Sequence, residues 1–388
     1  MKYIYLFVLA CCFSPAFAQQ KLPVIKATSK KVSIRDGEFL DKNFWNLLPQ
    51  IRPDVYTADR TRETKWVTFY TDIDSIKVKV TPGSRFNFVV LLNGTDSCYT
   101  QIASAIPPQT KTKITAATDT IPFELTAFNA IKVKCILNNI DTLNMHFDIG
   151  SFDFRIIRNA VLNKTHLLTG QRGQAKPDFS KADKITKIQL GNTVWNNPEV
   201  AINNQTAHEM DGRFGWNLFE GKVVEVNYDK HLLLIHTQLP TYLKGYDKLK
   251  LKFIRSFACV SGAFLINSKD YIGDFLMDTG SDRAMILDSS WAARNNFPQN
   301  LKVAKQLEAT DPRGVKYPVK TVFTPTYQLG KYKLNNVPAL MLSGKNPVGF
   351  EINYLGNDLL KRFNLVFDFQ QDQLYLKPNA LIASDYRS

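Results

Sequence analysis

Met145-His146-Phe147-Asp148-Ile149-Gly150-Ser151 and Leu276-Met277-Asp278-Thr279-Gly280-Ser281 are two versions of one phrase, an apolar run that delivers an aspartate into a turn made with glycine and serine. Each is followed by an apolar strand, Phe154 to Ile157 and Ala284 to Leu287. The likeness continues downstream. Ile188-Gln189-Leu190-Gly191, Trp195-Asn196-Asn197, Arg213-Phe214-Gly215-Trp216-Asn217-Leu218-Phe219 and Val223 to Tyr228 recur about 140 residues later. Their counterparts are Tyr327-Gln328-Leu329-Gly330, Leu334-Asn335-Asn336, Tyr354-Leu355-Gly356-Asn357-Asp358-Leu359-Leu360 and Leu365 to Phe369. Both copies read strand, tight turn, strand, a glycine entering a short helix, then a closing hairpin. Self-similarity in this order predicts two homologous β lobes, 118–240 and 241–379, with a tail at 380–388.

Residues 19–117 stand outside the repeat. Val67 to Tyr70, Ile76 to Val80 and Phe86 to Leu92 alternate like strands, with Pro82-Gly83 and Asn93-Gly94 as turns, so this segment reads as an N-terminal β accessory domain. Asn93-Gly94-Thr95-Asp96 resembles an acid loop superficially. Leu92 occupies the acid's place, however, so the segment reads as a hairpin turn.

A lone Asp-x-Gly-Ser is a weak signal, because an aspartate closing a hairpin through its own turn produces the same pattern. Recurrence in register inside a longer repeat makes it a stronger one. Glycine lets the backbone fold tightly beside the carboxylate, and serine supplies a hydroxyl donor.

On these residues the chain resembles the aspartic peptidases of the pepsin and retropepsin type. The features that carry the resemblance are the apolar lead into Asp278-Thr279-Gly280-Ser281 and the later Tyr354-Leu355-Gly356 with its helix. It extends over roughly 260 residues, strongest in the second lobe, and lobes of about 130 residues are closer to two fused retropepsin-like units than to longer pepsin lobes. The resemblance implies a mainly β, bilobal, acid-protease-like architecture of β-barrels. It implies catalysis by Asp148 and Asp278, supported by Gly150, Ser151, Thr279, Gly280 and Ser281. In such a pair like charges prevent double ionisation, so one proton is shared: one acid draws a proton from a water as it attacks the peptide carbonyl while the other hydrogen-bonds the carbonyl oxygen. No metal or cofactor is required. Ser151 and Ser281 would orient the outer carboxylate oxygens, and Thr279 would hydrogen-bond across the lobe interface. At the matching position the first lobe carries Ile149, whose side chain cannot return that bond. The turns containing Gly170 and Gly173, and Pro312 and Gly314, fall where such lobes carry flap hairpins, although ordinary exposed turns have the same composition. Asp358 and Asp368 read as surface or helix-cap carboxylates.

Composition agrees with a folded β protein. The chain has 388 residues, 44% hydrophobic, 12% aromatic and 22% charged, which excludes a disordered chain or a coiled coil as the main architecture. Lys2, the apolar run Tyr3 to Phe13 and Ala16-Phe17-Ala18 predict a signal peptide over 1–18, hence an exported protein, periplasmic or extracellular. Val8-Leu9-Ala10-Cys11 offers a lipidation alternative with a very short apolar run. No later stretch is long and apolar enough for a stable membrane span. Cys98, Cys135 and Cys259 allow one disulfide at most, or three buried thiols.

The net charge of +14 comes from basic residues interleaved with apolar and acidic ones, as on exposed strand faces, so nucleic acid is not an expected partner. The five histidines form no His-Glu-x-x-His pattern, and there is no Gly-x-Ser-x-Gly elbow or phosphate loop. A Ser-His-Asp triad stays open, since its members follow no fixed chain order. His146, two residues before Asp148, reads as a packed strand residue. The expectation is an exported aspartic endopeptidase acting on extended peptide or unfolded protein as a monomer. The alternatives are an inactive peptide-binding relative of the same fold, and a dimer that uses Asp278 twice.

Overall fold

The computed structural model describes residues 22–108, 116–179, 185–204, 207–310, 316–343, 346 and 348–387. The expected signal segment, Pro312 and Gly314 lie outside the described residues. The protein is mainly β, 52% strand and 8% helix. No helix among the described residues is long and apolar enough to cross a membrane. The chain divides into two compact units, Met1–Gln109 and Thr110–Ser388.

The first unit contains two four-stranded sheets. Their strands alternate as the sequence does: in Arg85–Leu92, Phe88, Val90 and Leu92 are buried while residues between them are not. This period of two points one face of each sheet inward. Phe88 meets Phe69 of the other sheet edge to face, ring centroids 5.3 Å apart, within a core that also takes Ile34, Val67 and Val78. Asn93-Gly94 turns the hairpin between Arg85–Leu92 and Asp96–Ser104, both residues in the left-handed region, as read from the sequence.

In the second unit the repeat becomes geometry. Ile131–Leu137 pairs antiparallel with Asp141–Phe147, which runs parallel to Gly212–Phe214, which in turn pairs with Phe154–Ile157. The later copy repeats each step: Phe257–Ile266 with Lys269–Asp278, then Asn353–Gly356, then Met285–Leu287. Registers correspond as well, since Phe147 faces Phe214 where Met277 faces Leu355.

The copies differ in closure. In the later one, Phe257–Ile266 also pairs with Lys316–Leu329, through Phe264 opposite Tyr327, and this completes a closed barrel of six strands. Tyr332–Met341 forms one continuous wall of that barrel. Its earlier counterpart is split into Thr193–Asn196 and Ala201–Asn203, leaving a half-barrel. Both copies bend at an asparagine with positive φ, Asn197 and Asn336, but only the earlier one places a proline, Pro198, directly after it. Without an N–H, that residue cannot donate to a continuing ladder.

Between the two copies lies a six-stranded sheet in the order Asp247–Lys250, Gln373–Pro378, Phe363–Asp368, Val223–Asn227, Leu232–His236, Thr118–Pro122. Two hairpins meet at its centre, with Val223 opposite Asp368 and Val226 opposite Leu365. Each is flanked by a strand from the start of its own copy. Side chains then cross between copies: Trp216 Nε1 donates to the Ser256 carbonyl at 3.0 Å, and Tyr228 donates its hydroxyl to Asn357 Oδ1.

Three details depart from the sequence reading or decide it. Asp358 and Asp368 are fully buried rather than on the surface. Burial is tolerated because each is well partnered: Asp358 by Lys361 at 2.8 Å, Asn129 at 3.2 Å and the Arg387 N–H at 2.8 Å, Asp368 by the N–H groups of Gln370 and Gln371 at 2.8 and 3.0 Å. Cys98, Cys135 and Cys259 are three free, buried thiols. Finally, Gly170 and Gly173 form no hairpin. Thr169–Gln171 is a short 3-10 turn, because the polar run from Gln171 to Asp178 lacks the apolar alternation a strand needs.

Gly215 and Gly356 each open the short helix that follows the inner strand. A Cβ on Gly215 would stand 2.0 Å from the Ser151 carbonyl oxygen, and one on Gly356 would stand 2.1 Å from that of Arg283. Both collisions are with backbone, so neither can be relieved by a side-chain rotation. Gly215→Ala and Gly356→Ala are each expected to lose about 1–3 kcal/mol of stability in denaturant unfolding. Variants within about 0.5 kcal/mol of the parent would contradict this packing.

Candidate active site

The strands Asp141–Phe147 and Lys269–Asp278 are anchored by fully buried Phe147 and Met277, which fix where the next turn begins. Each turn then closes on its own acid. Gly150 N–H donates to Asp148 Oδ1 at 2.9 Å and Gly280 N–H to Asp278 Oδ1 at 3.0 Å, while Ser151 and Ser281 N–H groups donate to the acids' carbonyls at 3.1 and 3.2 Å. The helices behind the loops hold them from below, Trp216 N–H to the Ser151 carbonyl at 3.2 Å and Asn357 N–H to that of Ser281 at 2.9 Å.

These twin loops bring Asp148 and Asp278 together. The position a Cβ on Gly150 would take lies 2.9 Å from Asp278 Oδ1 and 3.1 Å from Asp148 Oδ1. On the other side, a Cβ on Gly280 would fall 2.7 Å from Asp148 Oδ2. Glycine at both positions is therefore what allows the carboxylates to approach. Asp148 is buried and Asp278 half-buried. Burial, then the neighbouring Asp148 charge, push the Asp278 carboxyl up to about 8, against the opposing pull of the Gly280 N–H and Arg213.

The serines differ from expectation. Ser151 Oγ donates to the Asp148 carbonyl at 3.1 Å, and Ser281 Oγ accepts from the Arg283 N–H at 3.3 Å. They close the turns rather than orient carboxylate oxygens. The partner of the outer oxygen is instead Arg213, whose Nη1 lies 3.4 Å from Asp148 Oδ2.

The bond across the two loops is present, and it is lopsided. Thr279 Oγ1 accepts from the Ile149 N–H at 2.9 Å and donates to the Phe147 carbonyl at 3.1 Å. Ile149 contributes its amide, while its side chain is fully buried among apolar neighbours. The return bonds come from histidines. His146 Nε2 donates to the Thr279 carbonyl at 3.2 Å, and His208 Nε2 donates to the Gly280 carbonyl at 2.9 Å; the carbonyl partners require N–H at these nitrogens. Burial pushes the His146 ring below its ordinary value, towards the neutral form. His208 sits at φ +60°, a conformation a non-glycine residue rarely adopts, and its ring stacks on the exposed Phe128.

Of the expected site residues, the acids, Gly150, Gly280, Ser151, Ser281, Ile149 and Thr279 all belong to the two facing loops. Gly170 and Gly173 do not join them in a flap hairpin. In the later copy, Val303–Thr310 pairs antiparallel with Lys316–Leu329, and Pro312 and Gly314 lie outside the described residues. Sequence reading missed Arg213 and His208. Arg213 left one trace, a charged residue at the repeat position where the later copy has Tyr354. His208 left none. No family model and no curated protein matches the chain.

A carboxyl whose folded pKa is raised favours the folded state fully below its unfolded pKa, and that contribution is lost as pH rises through the folded value. Asp278→Asn removes this penalty. The variant is expected to gain thermal stability relative to the parent as pH rises from about 4 to about 8, read as melting temperatures across that range. A difference that does not change with pH would contradict a raised Asp278.

Proposed function

We propose that this protein is an exported aspartic endopeptidase of bilobal, acid-protease-like build, with Asp148 and Asp278 as a dyad that activates one shared water. The observation that carries the reading is the meeting of two equivalent aspartates, one from each copy of the repeat, on loops that hydrogen-bond each other. The raised Asp278 supports it further, since a dyad works by holding one proton between two acids.

In this mechanism the ionised member takes a proton from the water as its oxygen attacks the peptide carbonyl. The protonated member hydrogen-bonds the carbonyl oxygen as negative charge develops there, and then returns a proton towards the leaving amine. Peptide would lie extended across the two loops, bound through its backbone as an added strand. The hairpin of Val303–Thr310 and Lys316–Leu329 is the candidate flap, so a single flap from the later copy fits better than one from each. Because Asp148 stands beside Asp278 within one chain, a monomer has both acids it needs. The segment 1–18 would be removed on export.

Ile149 favours one competing reading, an inactive peptide-binding protein of the same build. Incubation of the mature protein with an unfolded protein substrate between pH 4 and 8 separates the two. Turnover that falls by about a thousandfold or more in both Asp148→Asn and Asp278→Asn is expected. Undiminished cleavage by Asp278→Asn would refute the dyad, and binding of a statine-type inhibitor without any turnover would favour the inactive form.

A further inference from the structure

We propose that Arg213 decides which acid of the pair carries the charge, favouring it on Asp148 and leaving Asp278 as the proton carrier, and so extends hydrolysis towards acid pH. The inference rests on the peptidase reading above and adds to it a positioning residue and a pH range.

The geometry is one-sided. Arg213 Nη1 lies 3.4 Å from Asp148 Oδ2, while its Nε faces Asp153 Oδ1 at 3.6 Å, an ion pair beyond hydrogen-bond range. Asp153 also pairs with Arg155. The guanidinium is therefore shared between two carboxylates and remains a third exposed, which leaves it free to favour charge on Asp148 without locking it away from a water. At the equivalent register position the later copy carries no cation. Tyr354 takes that register position and gives its hydroxyl to Asn346.

The other titratable groups around the pair do not offset this asymmetry. Burial pushes the His146 ring towards its neutral form, and its N–H goes to the Thr279 carbonyl. His208 spends its own on Gly280. Tyr354 is held protonated by burial, and Arg283 is turned to Asp282 at 3.6 Å. A cation within about 4 Å favours the charged form of a carboxyl, and the acid that this cation touches is Asp148. Asp278, raised by burial and by the neighbouring Asp148 charge, is the member that keeps the proton. The two limbs of the activity profile belong to the pair, and Arg213, which favours charge on it, sets how far the profile reaches towards acid pH.

The test is the pH profile of kcat/KM on an unfolded protein substrate from pH 3 to 9, for the parent, Arg213→Gln, Arg213→Lys and Asp153→Asn. Arg213→Gln should raise the acid limb by about one pH unit or more, with a smaller movement of the alkaline limb, and Arg213→Lys should restore most of it. Asp153→Asn, which gives Arg213 wholly to Asp148, should move the acid limb the other way. A purely structural Arg213 would scale activity equally at every pH. Active parent enzyme whose acid limb stays fixed in both Arg213→Gln and Asp153→Asn would overturn the inference alone. A parent that neither cleaves nor binds a statine-type inhibitor at any pH would overturn the peptidase reading and this inference with it.

Discussion

The Thr279 hydroxyl, placed between the Ile149 N–H and the Phe147 carbonyl, is the contact on which the arrangement of the two acids depends. It joins loops that are remote in sequence, and it does so directly behind the carboxylates. A buried hydroxyl that both accepts and donates is fully used, and removing it would leave an amide and a carbonyl unpaired at the centre of the unit, at about 1–3 kcal/mol for each unpaired group. His146 and His208 extend the same joint by donating to the next two carbonyls. Where a symmetric pair of threonines would share the work equally, this chain divides it between one threonine and two histidines.

The central sheet and the loops form one construction. Two hairpins pair at Val223 to Val226 with Leu365 to Asp368, and this pairing sets the distance between the half-barrel and the closed barrel. Trp216 and Tyr228 then tie each copy to the other beneath the acids. Long-range backbone pairing thus holds two carboxyl groups close, against the repulsion that ionising both would bring. The cost appears as the raised Asp278, and Arg213 relieves part of it.

Much of this was legible in the sequence because the repeat supplies its own alignment. Asp148 and Asp278, the glycines beside them and the glycines entering the short helices could be matched copy against copy without any relative to compare. The alternation in Ile131–Leu137, buried at every second residue, likewise announces its strand. Legibility ends where one copy departs from the other. Arg213 touches an acid 65 positions away and His208 a carbonyl 72 positions away, and no local pattern encodes such a contact. The earlier strand breaks off at Asn196, just before Asn197-Pro198, and what a proline there does depends on the strand it would have continued. Asp358 looked like a surface carboxylate because helix periodicity does not reveal that Lys361, Asn129 and the Arg387 amide converge on it.

The proposed chemistry needs two acids from related halves to share one proton. Its most direct measurement is a titration of the aspartate side-chain carboxyls by 13C NMR, with Asp148→Asn and Asp278→Asn assigning the pair. Shared protonation predicts one resonance that titrates near 8 and belongs to Asp278, and a midpoint that falls once Asp148 is neutral. Two carboxyls that each titrate in the usual carboxylate range, unaffected by loss of the other, would contradict it.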